Sequence, residues 1–408
     1  MNQAPPIKAL IKYKLSHFNN TVMIKKTFVL LFIFNSLTVT LFAQKYERYK
    51  KLKDTTLISK YLGFEKKISI LVPIEWQNEL KNNFPLIIVF DKQNQRSHNY
   101  IINTIDYLTS NELMPSSIII SVASEQRYRY IETQYKISDS NGLASENEKF
   151  IFEELIPLAE KEYNASPFRL LIGHSRYGYF TTSLFNSRIN DLNAVISMSP
   201  FFIQKNVDLT DSISKLNKQS YSSKKYYRFG IGNDFPDDFN TMDSIIKKRV
   251  LHPLLDIKGF RFKEAGHDAT PGLIINTALY EIFEEWSTIQ AKYSSVKQKD
   301  LSIKASLDQE ILSTYGIQLN FSIGILNGKG WYFYNEKQYD KAIQAWQILI
   351  ASYPNFSEGY LYIIKAQIQL KHNYYKTVKD FKKSLDNSGI YTEKEKKELT
   401  LELHEMIK

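Results

Sequence analysis

The chain has 408 residues, of which 43% are hydrophobic and none is cysteine, and it carries a formal net charge of +10. Its length allows a sizeable core and two domains, its composition is that of a globular protein, and the missing thiols exclude disulfides, thiolate metal sites and cysteine nucleophiles. Half of the excess charge lies in residues 1–43, which hold Lys8, Lys12, Lys14, Lys25 and Lys26 and no acid, so the remainder carries +5 with Lys and Glu interspersed, a balance that argues against nucleic-acid binding.

The N-terminal segment reads as an export signal. From Met23, "MIKKTFVLLFIFNSLTVTLFAQ" presents Lys25 and Lys26, then an apolar stretch from Phe28 to Phe42, then the small residue Ala43. At about 15 residues the stretch is short for a membrane span. The expectation is a signal peptide over 1–43 with its true start at Met23. The mature chain then begins at Gln44, is periplasmic or secreted, and keeps no membrane span. The alternative is an uncleaved N-terminal anchor.

Apolar runs and helical periods then alternate. Strands are expected at 67–73, 85–90, 116–123, 168–173, 193–199, 226–232 and 259–265. Helical spacing appears at 97–110, at 145–163 with Pro157 marking a kink or early break, from about Arg176, near 240–254, and at 272–286. Runs such as "SSIIISVA" (116–123) are continuously apolar, as in strands buried on both faces. The fold class is therefore α/β, with a mostly parallel sheet covered by helices on both faces over residues 44–290. Ligands in such sheets sit beyond the carboxyl ends of the strands.

A polar connector is expected over 291–320, partly helical, followed by a small all-α region over 321–408. There "YDKAIQAW" (339–346) recurs as "YYKTVKDF" (374–381), and Gly330, Ala342, Trp346 and Pro354 fall where a tetratricopeptide repeat places small, small, aromatic and proline residues. Small residues let two helices approach closely, and the aromatic fills the groove between them. Two units are few for an independent stack, so the segment is expected to lean on its neighbours. It offers a surface for a protein partner. A plain helical hairpin is the alternative.

The chemistry is carried by "LLIGHSRYGYF" (170–180). An apolar strand stops at a glycine, and Ser175 follows directly at the start of a helix. A serine hydroxyl needs a base within hydrogen-bond reach and donors aimed at the developing oxyanion. His267, in "EAGHDATPG", follows the last expected strand. Between them "GIGNDFPDDF" offers Asp234, Asp237 and Asp238, of which Asp234 directly follows the strand glycines. The order serine, acid, histidine at successive strand ends is that of a nucleophile elbow. Taken singly, each signal is weak: a serine after a strand is commonly a helix cap, and an Asp after a glycine is commonly a turn residue.

Three blocks together, "ISVASEQRYRYIETQ", "ENEKFIFEELIPLAEKEYNASPFRLLIGHSRYGYF" and "GHDATPGLIINTALYEIF", resemble the putative-esterase family of α/β-hydrolases, which includes enterochelin (siderophore) esterases and esterase D-like enzymes. The resemblance covers roughly residues 55–290. A helical tail after such a domain is similar to a recurring arrangement in that family. The resemblance implies a carboxylic ester hydrolase that needs no cofactor or metal and acts on a small-molecule ester. Its nucleophile would be Ser175 and its general base His267, with Asp234 as the acid or a serine–histidine pair acting alone. The oxyanion donors are expected to be the backbone N–H of Arg176 and one near Lys92 or Gln93, with Lys92 the first choice.

One departure stands out. The family's "GHSxGG" reads here "GHSRYG", so Tyr177 occupies the first glycine of the pair and Gly178 the second. A tyrosine there must aim its ring elsewhere or open the elbow, and loss of activity would follow from the second case. Tyr177, Arg127 and Arg129 are the expected substrate-binding residues. With Arg176 beside the nucleophile, three guanidinium groups at the cleft mouth would favour anionic esters such as siderophores; the alternative is that one or more of them pairs internally with Glu125, Glu132 or Glu264. Two alternatives to an esterase stay open: an inactive hydrolase scaffold with a helical interaction tail, and a carbohydrate-binding envelope protein.

Overall fold

The computed structural model describes residues 46–77, 84–136, 141–204, 207–248 and 251–408. The expected export signal lies outside the described residues. Eight strands form one sheet: β1 (Tyr49–Ile58), β2 (Glu65–Pro73), β3 (Phe84–Val89), β4 (Ile118–Val122), β5 (Ala165–His174), β6 (Ala194–Met198), β9 (Lys225–Ile231) and β10 (Leu255–Arg261). A separate two-stranded pair is made by β7 (Ile203–Gln204) and β8 (Val207–Asp208). The spatial order is β1-β2-β4-β3-β5-β6-β9-β10. Within this sheet only β1 with β2 and β2 with β4 pair antiparallel, and the other five pairs are parallel; the separate β7–β8 pair is antiparallel.

The expected α/β architecture is borne out, and its cause is visible in the strands. Along β5, Phe168, Leu170 and Ile172 face one core while Leu171 faces the other. Along β3, Ile87 and Val89 point to the first core and Leu86 and Ile88 to the second. Both faces need apolar side chains, so these strands read as unbroken apolar runs. The first face is covered by α1 (Gln95–Ser110) and the long α8 (Thr270–Ser294). The second is covered by α3 (Ala144–Lys149) and α4 (Ile156–Tyr163), joined through a π-helical turn, by α5 (Arg176–Ser187), and by α6 (Leu209–Lys215). The π turn, Phe150–Leu155, stands just before Pro157, which has no N–H to offer the preceding turn. A short helix, α2 (Gln126–Arg129), follows β4, and α7 (Pro236–Lys248) links β9 to β10.

Two elements differ from the sequence reading. β1 was not expected: its charged residues are exposed except for the half-buried Lys50, and only Tyr49 of the strand is buried. As an edge strand it has one neighbour and little core to face, and its lysines guard the open edge. The last strand runs over 255–261 rather than 259–265, because Leu255 and Ile257 are its buried positions.

The C-terminal helices are α9 (Ile303–Tyr315), α10 (Ile323–Asn335), α11 (Tyr339–Ser352), α12 (Glu358–Gln369), α13 (Tyr375–Asn387) and α14 (Glu393–Met406). They continue the apolar core on the α1/α8 face: Trp286, Ile289 and Tyr293 of α8 join Leu326, Phe333, Trp346 and Leu349 in one buried cluster. The boundary expected at residue 290 therefore falls inside α8, and residues 46–408 form one compact unit. A Cβ on Gly330 would lie 2.2 Å from Nε1 of Trp346, so the indole sits directly against the α10 backbone. Phe381, the counterpart of Trp346 in the second sequence unit, is buried in a smaller cluster with Leu361, Leu385 and Leu403. Among the described residues, no helix is long and apolar enough to cross a membrane.

The tail docks on one end of the sheet. Asn193, just before β6, donates to the carbonyl of Tyr315 (3.2 Å), and Asn355 donates to the carbonyl of Glu75 beyond the end of β2 (2.9 Å). These are the amino ends of the parallel strands, opposite the end where ligands bind in such sheets.

Candidate active site

Ser175 occupies the sharp turn between β5 and α5 with φ 59° and ψ −118°, a conformation that residues other than glycine rarely adopt. The strain is held by neighbours on both sides. The Ser175 N–H donates to the carbonyl of Met198 (2.8 Å), tying the turn to β6. Two glycines make room for it. A Cβ on Gly173 would lie 2.3 Å from the carbonyl oxygen of Tyr177, and one on Gly178 would press on the backbone of Met198 and Pro200. The turn aims the N-terminus of α5 at the space above the sheet, where its positive end favours developing negative charge.

His267 begins the turn that leads into α8, and Asp234 follows β9. His267 Nδ1 and Asp234 Oδ2 are 2.6 Å apart. Burial pushes the Asp234 carboxyl up. Its hydrogen bonds with His267 and neighbouring donors outweigh that and hold it below its ordinary value. It is thus ionised at neutral pH and orients the imidazole. Asp237 is exposed, and Asp238 accepts from the backbone N–H of Phe202 (2.5 Å). Of the three aspartates offered by the sequence, the structure joins Asp234 to the histidine.

Ser175, His267, His174, Asp268, Asp91, Gln93 and Arg129 line one cleft of about 280 Å³. His174 lies beside His267 with the rings tilted and their centroids 4.6 Å apart, and its Nε2 meets the His267 carbonyl at 3.2 Å. Burial, then the neighbouring His267, keeps the His174 imidazole below its ordinary value and hence neutral.

The oxyanion donors divide. Arg176 is the first residue of α5, and a backbone N–H at that position has no intrahelical partner. The expected Lys92 donor is corrected: its backbone N–H already donates to the Val122 carbonyl (3.1 Å). The adjacent N–H of Gln93 makes no hydrogen bond among the described residues, and Gln93 lines the cleft. Its side chain is fixed at both ends, donating to Asp91 and accepting from the Ser124 N–H.

Of the expected substrate-binding residues, Tyr177 is corrected, and the two arginines prove to be paired. Tyr177 is 0% exposed, points into the core beneath the elbow, and cannot touch a ligand in the cleft. Arg129 reaches the cleft, but its guanidinium makes two hydrogen bonds to Asp91 (2.8 and 2.7 Å). Arg127 is 71% exposed and pairs with Glu125. The positive cluster is therefore mostly neutralised. Arg176 alone has no carboxylate partner among the described residues; its guanidinium lies 3.8 Å from the ring centre of Tyr130. Aromatic rings continue from there. Phe201 lies edge-on to Phe235, and Phe235 lies edge-on to His267 at 5.9 Å. These rings stand beside the cleft rather than among the residues that line it, and sequence reasoning did not single them out because they are scattered over three loops.

Residues 59–237 match the family model described as "Putative esterase". No curated relative matches the chain. An uncharacterised protein from Capnocytophaga ochracea superposes with a TM-score of 0.57 at 12% identity, over 82% of this chain and 93% of that one. An IroE-like serine hydrolase from Shewanella oneidensis gives 0.56 at 14% identity, over 75% of this chain and all of that one. These two structures share the fold; the family match supplies the chemical class, that of carboxylic ester hydrolysis.

Proposed function

We propose that this carboxylic ester hydrolase is an exported serine esterase working through an acyl-enzyme. The observation that carries the reading is the backbone of Ser175 on the strand-to-helix turn, in the same cleft as a histidine already hydrogen-bonded to an ionised aspartate. Ser175 Oγ attacks the ester carbonyl while His267 accepts its proton, and the same imidazole then returns the proton to the leaving alcohol. A water, deprotonated by His267, next attacks the acyl-enzyme and releases the acid and free Ser175. Asp234 holds His267 in orientation and stabilises its imidazolium. The N–H groups of Arg176 and Gln93 receive the oxyanion.

The pairing of Arg127 and Arg129 with carboxylates weighs against a strong demand for anionic substrates. Export rests on the charged, apolar, small-residue order over residues 23–43, and a mature N-terminus at Gln44 would support it.

The test is hydrolysis of p-nitrophenyl esters by the purified protein. Ser175→Ala and His267→Ala are each expected to lower kcat by orders of magnitude while the fold is kept. Equal turnover by wild type and Ser175→Ala would remove this reading.

A further inference from the structure

Beneath the elbow lies a polar cluster that the catalytic cycle does not use. Glu132 is 0% exposed, Lys66 2% and Ser124 1%. They come from three separate places: Lys66 from β2, Ser124 from the loop after β4, and Glu132 from the turn after α2. The Glu132 carboxylate accepts from Lys66 Nζ (2.8 Å), from the Ser124 hydroxyl, and from the Tyr177 hydroxyl (2.5 Å). Burial, and next the Glu132 carboxylate, push the Tyr177 phenol well above its ordinary value, so it keeps its proton and acts as the donor. The Tyr177 ring stacks on Phe90 at 4.5 Å between centroids. Phe90 immediately precedes Asp91, whose φ of 60° turns the chain into the loop carrying the Gln93 N–H.

Resting on the serine-esterase reading, we infer that the segment Glu125–Thr133 is a strap that sets the distance between the two oxyanion donors, with Tyr177 and Glu132 as positioning residues. The strap is fastened on both sides. Toward the loop after β3, Arg129 holds Asp91 with two hydrogen bonds and also donates to the His174 carbonyl (3.2 Å). Toward the elbow, Thr133 Oγ1 accepts from Arg176 Nε (3.1 Å), and Glu132 accepts from Tyr177. One donor belongs to Arg176 and the other to Gln93, so a bridge joining these two chain segments fixes their separation. Tyr177 spans both: its backbone is on α5, its ring on Phe90, its hydroxyl on the strap. The tyrosine in place of the family glycine is thus a tether. Buried carboxylates with several donors are costly to disturb and rigid when satisfied.

The experiment compares full-length wild type with Tyr177→Phe, which keeps the ring and removes the donor. Turnover of a p-nitrophenyl ester, inhibition by phenylboronic acid and thermal unfolding are read together. The boronate forms a tetrahedral adduct on the serine and so reports the oxyanion donors. Tyr177→Phe is expected to lower kcat by about tenfold to a hundredfold, with KM within about twofold, and to weaken boronate binding in proportion to kcat/KM. Thr133→Val, which cuts the neighbouring fastening, is expected to act in the same direction and serves if Tyr177→Phe does not fold. Lys66→Met with Glu132→Gln removes the ion pair but leaves an amide oxygen for Tyr177, so its kcat should exceed that of Tyr177→Phe. A strap that only stabilises the fold would lower the melting temperature and leave kcat and boronate affinity at wild-type values in both single variants; that result overturns the inference. Loss of turnover in Ser175→Ala alongside normal turnover in Tyr177→Phe removes the strap alone, whereas activity in Ser175→Ala removes the serine mechanism itself.

Discussion

The carboxyl end of the parallel strands is held by polar bonds of defined direction. Asp91 takes Arg129 and Gln93, Glu132 takes Lys66, Ser124 and Tyr177, and Asp234 takes His267. The amino end is held by apolar burial. Trp286, Ile289, Tyr293, Phe333, Trp346 and Leu349 interlock there, with the Arg48–Glu75 ion pair at the edge of the cluster. Directed bonds fix atoms to within tenths of an ångström and suit a reaction centre. Apolar packing supplies free energy in proportion to area and tolerates small shifts. Changes at the first end should therefore move rate constants, and changes at the second should move stability.

Asp234→Asn tests the first half of that contrast most severely. Turnover is expected to fall by about a hundredfold to ten-thousandfold, with KM little changed, because the imidazole loses its orienting carboxylate. Asp237→Asn, at an exposed position, should be near wild type. Steady-state kinetics on one aryl ester checks both, and equal loss from the two would dissolve the assignment.

Trp346→Ala tests the second half. The indole is fully buried against Gly330, so stability should drop by about 3–5 kcal/mol while kcat of the remaining folded protein stays near wild type. Removing residues 320–408 bares Trp286, Ile289 and Tyr293 together, and that fragment should aggregate rather than yield a free-standing enzyme. Urea unfolding and ultracentrifugation read these outcomes. Gly330→Ala is a smaller version: a methyl 2.2 Å from the indole should cost about 1–3 kcal/mol and leave kcat untouched.

Much of this division was legible in the sequence. Strands buried on both faces announce themselves as apolar runs, and Ser175, Asp234 and His267 stand in order at their ends. Gly330 and Trp346 were readable as a close helix contact for the same local reason. What stayed hidden was long-range. Nothing near Tyr177 shows that its hydroxyl meets a carboxylate 45 residues earlier in the chain, or that Asp91 captures Arg129. Charged residues in a sequence advertise a charge but not its partner, so whether Arg127 and Arg129 stood free or paired internally stayed open until the structure joined them to Glu125 and Asp91. Lys92 failed as an oxyanion donor because the hydrogen bond of a loop N–H depends on the neighbouring strand, here Val122. β1 was missed because an edge strand with one neighbour need not alternate.

Acidification bears on the cleft end through its histidines. Burial lowers both His174 and His98 below their ordinary values. As pH falls through about 6.5, the unfolded chain takes up protons that these buried imidazoles resist. Stability is therefore full above that pH and is lost progressively below it. Melting temperature should decline from pH 8 to pH 5, and His174→Gln should flatten part of the decline. A curve unaffected by that change would show that the cleft end does not carry the dependence.

The smallest effect is expected at Arg127. It is exposed and already paired with Glu125, so Arg127→Glu should alter KM for an anionic and a neutral aryl ester equally, within about twofold. A selective rise for the anionic ester, relieved by salt, would return the basic cleft.

The central claim is that the strained turn presents Ser175 as a nucleophile. Intact-protein mass spectrometry after treatment with a fluorophosphonate measures this directly, with the adduct located by peptide mapping. One adduct per chain is expected, on Ser175, formed slowly in Asp234→Asn and not at all in Ser175→Ala. An adduct on another residue, or equal labelling of Ser175→Ala, would contradict it.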